Sequence, residues 1–489
     1  MMRLTSLAQV PQNMRPGYMP DDHGVGIVHL GLGAFHKAHQ AALTDRALAA
    51  AGGDWRILGV SLRSATAAAQ LQPQNGLYTL MAKGVEGTST KVIGAVADAI
   101  CAAQDPEPTL VAMASPHTKI VSLTVTEKAY GLDRAAKGCD WTHPSVAADL
   151  QTPHAPHGVL GLIVEALRRR RAEKLAPFTV LCCDNLPDNG VLLRGAVIAF
   201  ADRIDRDLSA WIAAQVAFPS TMVDRITPAA TQASLTQAAA LIGADDHAAV
   251  ETESFCQWVI EDNFPQGRPA WEAAGVIFTD DVAAFEAMKL RMLNGSHSML
   301  AYAGFHAGLA YVRDVMADVD LSVLVRRHLR AAAATLPRIP GMDLAQYGAA
   351  LAQRFENPAI AHETFQIAMD GTEKMPQRIF GAAIAARKAG SDTRPFAFAT
   401  AAWMRHISGS THDCAAYVLR DPCASELMAL AHGKTAKAIA RAVQTHQIVP
   451  QHLSQDQKFW DVAEGILDDM LCYPMAVVLA NEASGLPAS

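Results

Sequence analysis

Between residue 26 and about residue 280, short apolar runs alternate with Ala/Leu-rich stretches. The runs are GIVHLG, RILGVS, KIVSLTV and FTVLCC, and a typical intervening stretch is FHKAHQAALTDRALAAAG. Runs that are apolar at nearly every position predict strands buried on both faces, as in a parallel sheet covered by helices. The intervening spacing suits those helices. Beyond about residue 282 the texture changes to LSVLVRRHLRAAAATL, FGAAIAARKAG and KTAKAIARAVQ, which favour helix. The pattern predicts an α/β domain over residues 1–282 and an all-α domain over 283–489. No internal repeat or low-complexity linker marks the junction, so the boundary rests on texture alone.

Three interruptions of this pattern carry candidate chemistry. The first is IVHLGLGAFHKAHQ at 27–40, a strand-like run, then Gly31-x-Gly33, then a helix-like segment. In a dinucleotide fold the first glycine makes the tight turn and the second lets the backbone approach a pyrophosphate at a helix N-terminus. His36 stands where a third glycine is usual, and a purely structural turn would show the same spacing. The second strand ends RILGVSLRSAT, without the acid that usually grips the adenosine ribose. Arg63 there is placed to stack on adenine or to meet a 2′-phosphate, which leaves NADP open beside NAD; a solvated loop arginine is the alternative.

The second interruption is KLRMLNGSHS at 289–298, where Lys289, Asn294 and His297 sit among Met and Leu. On a continuous helix of about 100° per residue, Lys289, Glu286, His297 and Asn294 fall at about 0°, 60°, 80° and 140°, one arc shared with Leu290 and Leu293. Gly295 costs such a helix about 1 kcal/mol. A lysine desolvated there has its pKa depressed, as a general base near neutral pH requires. Surface groups or a satisfied core histidine are the competing reading. The third is CCDNLPDNG at 182–190 after FTVLC, which sets Asp184 and Asn185 beyond a strand's carboxyl end, where α/β folds bind ligands, or makes an ordinary turn.

Composition narrows the classes. Half the residues are apolar and 18% are charged, so an ordered globular chain is expected, and 489 residues suffice for more than one core. A net charge of −7 carries no footprint for nucleic acid or an anionic membrane. LRRRRAEK at 167–174 ends a helix-like run, where cations offset the macrodipole. Eight scattered cysteines match neither a disulfide framework nor a zinc spacing, and TPHAPHG at 152–158 lacks a third metal ligand. The opening MMRLTSLAQVPQNM has no apolar core of signal length, and no apolar run reaches about 18 residues. The expectation is a cytoplasmic protein whose partner is a small molecule, with no metal, nucleic acid or membrane; oligomeric state is not legible.

These stretches, together with IVSLTVTEKAYG, FPSTMVDRITP, QWVIEDNFPQGRPAW, MKLRMLNGSHSMLAY and FQIAMDGTEKMPQR, resemble the long-chain polyol dehydrogenases, the mannitol dehydrogenase family, and within it most closely the fructuronate reductase branch. The likeness runs in order from about residue 26 to 380, with Lys-x4-Asn-x2-His its most specific spacing. It implies an expanded Rossmann domain, a helical C-terminal domain, a substrate held between them, and metal-free hydride transfer with NAD. It casts Lys289 as catalytic base, Asn294 and Asn185 as amides holding the reacting oxygen, His297 as substrate positioner, and Glu286 as the acid passing the lysine's proton to solvent. Gly31, Gly33 and Phe35 match the cofactor loop, and Thr126, Glu127 and Lys128 the segment bordering the nicotinamide. Asp224 and Arg225 fall in the signature VDRITP, as substrate contacts or as a structural ion pair. For a uronate's carboxylate the candidates are Lys374, Arg378 and Arg268. His362-Glu363-Thr364 and Leu186-Pro187 depart from the reductase pattern and leave room for another sugar acid or for a polyol such as mannitol or arabinitol. A non-catalytic NAD(H)-binding protein is the reading from another class.

Overall fold

The computed structural model describes residues 1–84, 86–103, 105–358 and 362–485. Its backbone divides into two compact units, Met1–Ala283 and Ala284–Ser489.

The first unit is built on five strands: β1 (Val25–Leu30), β2 (Arg56–Ser61), β3 (Val96–Cys101), β4 (Ile120–Leu123) and β5 (Thr179–Cys182). They lie in the order β3-β2-β1-β4-β5, all parallel. The alternating pattern predicts such a parallel sheet, and its order, reversing between β1 and β4, is the doubly wound Rossmann arrangement that the family resemblance implies. Side chains alternate across β1 as the period of two requires. Val28 and Leu30 join a core with Val121, Leu162 and Phe178, while Ile27 joins the opposite core with Ile57, Leu43 and Trp271. Ile27 pairs with Ile57 on one side and Ile120 on the other, so no edge of β1 meets water.

Four of these strands are the apolar runs of the sequence. The fifth, VADAIC, carries Asp98 among alanines and does not read as a buried run. Two further three-stranded sheets also escape the pattern: Tyr78–Gly84 between Gly87–Ile93 and Val250–Glu253, and Gln257–Glu261 between Thr221–Asp224 and Ile277–Thr279.

The second unit is mainly helical, as expected. Helix Arg394–His406 is buried at every position from Pro395 onward, which marks it as the centre of the unit. Helices Gly295–His306 and Gln457–Cys472 pack against it. The outer helix Val319–Ala333 starts at Asp318, whose carboxylate accepts the Leu321 N–H, an N-cap that closes one orphan donor. The eight cysteines are all free. Among the described residues no helix is long and apolar enough to cross a membrane.

Candidate functional site

In the first unit the chemistry gathers at the carboxyl ends of β1, β4 and β5. Gly31 has φ +100, and a Cβ there would stand 2.1 Å from the Thr124 carbonyl oxygen, so only glycine fits. Gly33 caps the helical segment beginning at Ala34, and a Cβ on it would meet nothing nearer than the Gly31 carbonyl at 3.8 Å. The space in front of that helix N-terminus is open, and its unpaired amides favour an anion. The segment continues through a π-helical stretch, Lys37–Ala41, into Ala42–Ala51.

His36, in the third-glycine place, is fully buried and stacks on His29 with ring centroids 3.5 Å apart. Burial first, then the neighbouring His29 ring, holds His36 well below the ordinary imidazole range. His29 is pushed down to about 3 by burial, and its two nitrogens reach Ser122 Oγ and Thr124 Oγ1, each at 2.8 Å. The neutral His29 imidazole therefore ties β1 to β4 beneath the glycine turn, with the His36 ring stacked on it. Phe35 stacks on His39 at 4.9 Å.

Asp184 fixes the next loop. Its carboxylate accepts the Val125 N–H at 2.9 Å, the Thr126 N–H at 3.0 Å and the Tyr130 hydroxyl at 2.7 Å. Thr126 is held at φ +71, a conformation that costs a β-branched residue about 1–3 kcal/mol and needs such a restraint. Asn189, which sequence reasoning passed over as part of a turn, anchors the same loop: its amide donates to the Thr221 carbonyl at 2.9 Å and accepts the Thr221 N–H at 2.9 Å. Asn185 and Thr126 through Lys128 are exposed, with Glu127 paired to Arg134 at 2.5 Å. Arg63 is exposed and forms no hydrogen bond or ion pair among the described residues. Asp184→Ala is expected to cost about 2–4 kcal/mol, since it strands two backbone donors and a buried phenol. Urea unfolding checks this, and a loss below about 0.5 kcal/mol would contradict the clamp.

Two candidates of the first unit prove to be engaged otherwise. Arg268 donates to Asp262 at 2.8 Å and Glu272 at 2.6 Å and lies 3.5 Å over the Phe278 ring, so its guanidinium is a clamp on its own loop. Arg225 donates to the carbonyls of Ala38 and Glu253, joining the π-helical stretch to a strand end. Asp224 is buried at the end of Thr221–Asp224.

In the second unit the expected continuous α-helix is interrupted. Val282–Met288 and Gly295–His306 are α-helical, but Lys289–Asn294 is a π-helix, in which each residue turns through less than 100°, so Lys289 and Asn294 lie closer in angle than a continuous α-helix would place them. Such bulges recur at functional sites because they re-aim side chains. Gly295 is explained by a close approach: a Cβ on it would lie 3.0 Å from the Arg378 carbonyl. Arg378 belongs to a second π-helix, Pro376–Phe380, and donates to Ser298 Oγ at 3.2 Å, with the Asn294 carbonyl at 3.5 Å.

Lys289 and His297 are 7% and 8% exposed; Glu286 and Asn294 are half-buried. His297 meets the rings of Phe355 at 4.7 Å and His362 at 5.3 Å. Burial, then the charges of His362, Arg354, Arg378 and Lys289, holds it well below the imidazole range, so it is neutral at pH 7. Lys374 donates to the Met369 carbonyl at 2.6 Å and stands 3.8 Å from Asp370; burial and then Arg378 lower its pKa. His362 is lowered by burial, Arg354 and Lys374. Arg354, absent from the sequence reading, thus joins Lys289, Lys374 and Arg378 around two imidazoles. Arg354, Lys374 and Arg378 are half-buried, with Asp370 beside Lys374; such a gathering of cations can hold a carboxylate, and a buried amine can exchange a proton with an oxygen.

Comparison with known proteins matches residues 25–273 to the mannitol dehydrogenase Rossmann domain and residues 281–470 to the mannitol dehydrogenase C-terminal domain. The chain is 45% identical over 413 residues to the uncharacterized oxidoreductase YeiQ of Escherichia coli K12, covering 84% of this chain and 85% of that one. It is 44% identical over 405 residues to D-mannonate oxidoreductase of the same organism, covering 82% and 83%. Among solved structures it is similar to Pseudomonas fluorescens mannitol 2-dehydrogenase in ternary complex with NAD and D-mannitol, with TM-score 0.83, 35% identity, and coverage of 99% and 100%.

Proposed function

This chain belongs to the mannitol dehydrogenase family of oxidoreductases, and from that premise we propose that it is a cytoplasmic NAD-dependent reductase interconverting D-fructuronate and D-mannonate. The observation that carries the sugar-acid reading is the cluster of Arg354, Lys374 and Arg378 about His297 and His362, for which a neutral polyol offers no counter-charge. The likeness to a D-mannonate oxidoreductase supports it.

The glycine turn fits NAD, because Gly31 permits the tight bend and the room before Gly33 admits a pyrophosphate at the helix N-terminus. Bound there, the nicotinamide supplies or accepts the hydride. Thr126, Glu127 and Lys128, on the loop that Asp184 clamps, border it, and Phe35 completes the cofactor loop. Arg63 takes the adenosine end.

At the reacting carbon, reduction adds one hydride and one proton across C=O. Lys289 as the ammonium delivers the proton to the oxygen, and as the free amine it removes that proton in the oxidative direction. Asn294 donates its amide to the same oxygen, and the family resemblance assigns Asn185 a like amide role. His297, neutral, hydrogen-bonds a substrate hydroxyl without repelling the lysine. Glu286 returns the lysine's proton to solvent. Lys374 and Arg378 hold the carboxylate.

The test separates carboxylate from hydroxyl recognition. Arg378→Ala and Lys374→Ala are each expected to raise KM for D-fructuronate by about ten- to a hundredfold, the worth of one lost charged hydrogen bond. KM for neutral D-fructose changes by less than about twofold. Equal rises for both sugars, measured by NADH absorbance, would contradict the reading and favour a polyol dehydrogenase.

A further inference from the structure

Helices Val319–Ala333 and Leu344–Phe355 leave between them a cavity of about 530 Å³ in the second unit. This is within the range of about 300–1,000 Å³ typical of small-molecule sites. Met292 and Leu329, 0% and 3% exposed, line it together with Leu344 and a series of alanines. Gly348 lines it as well, and a Cβ there would rest in ordinary contact with the Met292 methyl at 3.4 Å.

The polar members of the lining are two arginines and no acid. Arg326 is paired with Glu356 at 2.5 Å, whereas the exposed Arg330 guanidinium forms no hydrogen bond or ion pair among the described residues. An apolar trough with an uncommitted guanidinium on it complements one kind of molecule, an anion with a hydrocarbon tail. A sugar acid does not fit, because its hydroxyls would be buried against methyl groups. Met292 lies between Lys289 and Asn294 in one π-helix, yet neither of those two lines the cavity.

We propose that this cavity is a second ligand site, separate from the sugar site, that binds a medium-chain carboxylate with its head on Arg330 and its tail along Leu329, Leu344 and Met292. Its occupancy does not depend on which sugar the enzyme reduces.

Calorimetric titration of the full-length protein with sodium decanoate, with NADH and D-mannonate at saturation, is expected to give one site per chain with a dissociation constant below about 1 mM. Arg330→Glu weakens it at least about tenfold, and Gly348→Leu, which fills the trough, removes it. Both variants keep wild-type turnover, which also shows that they fold. Absence of binding up to the solubility limit would overturn the proposal, as would binding that both variants retain or that saturating D-mannonate displaces. A wild-type dimer in sedimentation that Gly348→Leu converts to monomer would overturn it too, by making the trough an interface between copies.

Discussion

Lys289→Ala is expected to lower kcat by about a hundred- to ten-thousandfold, the usual worth of a positioned acid/base. The dissociation constant for NADH should stay within about twofold, because the residues assigned to the dinucleotide stand on the turn after β1 and the loop after β4, and the lysine is assigned to the reacting oxygen. Burial makes the assignment physical. At 7% exposure the lysine is largely withdrawn from water, so little solvent competes for the proton it exchanges with a bound oxygen. The variant should also lose the ionisation that shapes the pH dependence of kcat. Rapid-mixing turnover and NADH fluorescence titration check the two halves separately, and an alanine variant with near wild-type kcat would remove Lys289 from the reaction.

Asn294→Ala should lower kcat by about a hundred- to a thousandfold, the range for deleting one preorganised donor to a developing oxyanion. The side chain is separable from the backbone here. The Asn294 carbonyl faces Arg378 and the residue closes the π-helix, features that alanine preserves. The two variants differ in a second readout: Asn294→Ala keeps the shape of the pH profile, because the lysine still titrates, and Lys289→Ala does not. A pH profile that also flattens on loss of Asn294 would mean that the amide sets the lysine's ionisation rather than holding the oxygen.

Much of the first unit is legible in the sequence because parallel strands buried on both faces leave an unbroken apolar signature, as IVHL, RILGV, IVSL and TVLC do. VADAIC does not, since Asp98 and three small residues carry no such mark, and its place at the edge of the sheet follows from pairing with β2. The π-helices at Lys37–Ala41, Lys289–Asn294 and Pro376–Phe380 are invisible to a rule of 3.6 residues per turn. The last two lie close together, since a Cβ on Gly295 would stand 3.0 Å from the Arg378 carbonyl. The residue types of the candidate site could be read from Lys-x4-Asn-x2-His, but not their angular relation.

Charge partners show the same limit. Arg268 looks like a carboxylate binder until Asp262 and Glu272, six residues before and four after, take its guanidinium. Glu272, at i+4, is a partner that helical spacing alone makes legible. In LRRRRAEK the macrodipole accounts for only part of the run, since Arg170 is buried and donates to the carbonyls of Ala176 and Ser115. Arg354 could not be found from spacing, because it joins Lys374 and Arg378 only through the fold. His36 looked like a defect in a glycine fingerprint, and its stacking on His29 gives that position a packing role instead.

On the proposed function, the half-buried cations of the second unit select a sugar acid for reduction with NADH. Steady-state rates for D-fructuronate, D-fructose, D-mannonate, D-mannitol and D-arabinitol, each with the NAD and the NADP couple, test it most directly. The account predicts kcat/KM for D-fructuronate with NADH at least about a hundredfold above that for D-fructose, with D-mannonate the favoured substrate of oxidation. Turnover confined to the neutral sugar and polyols would contradict it.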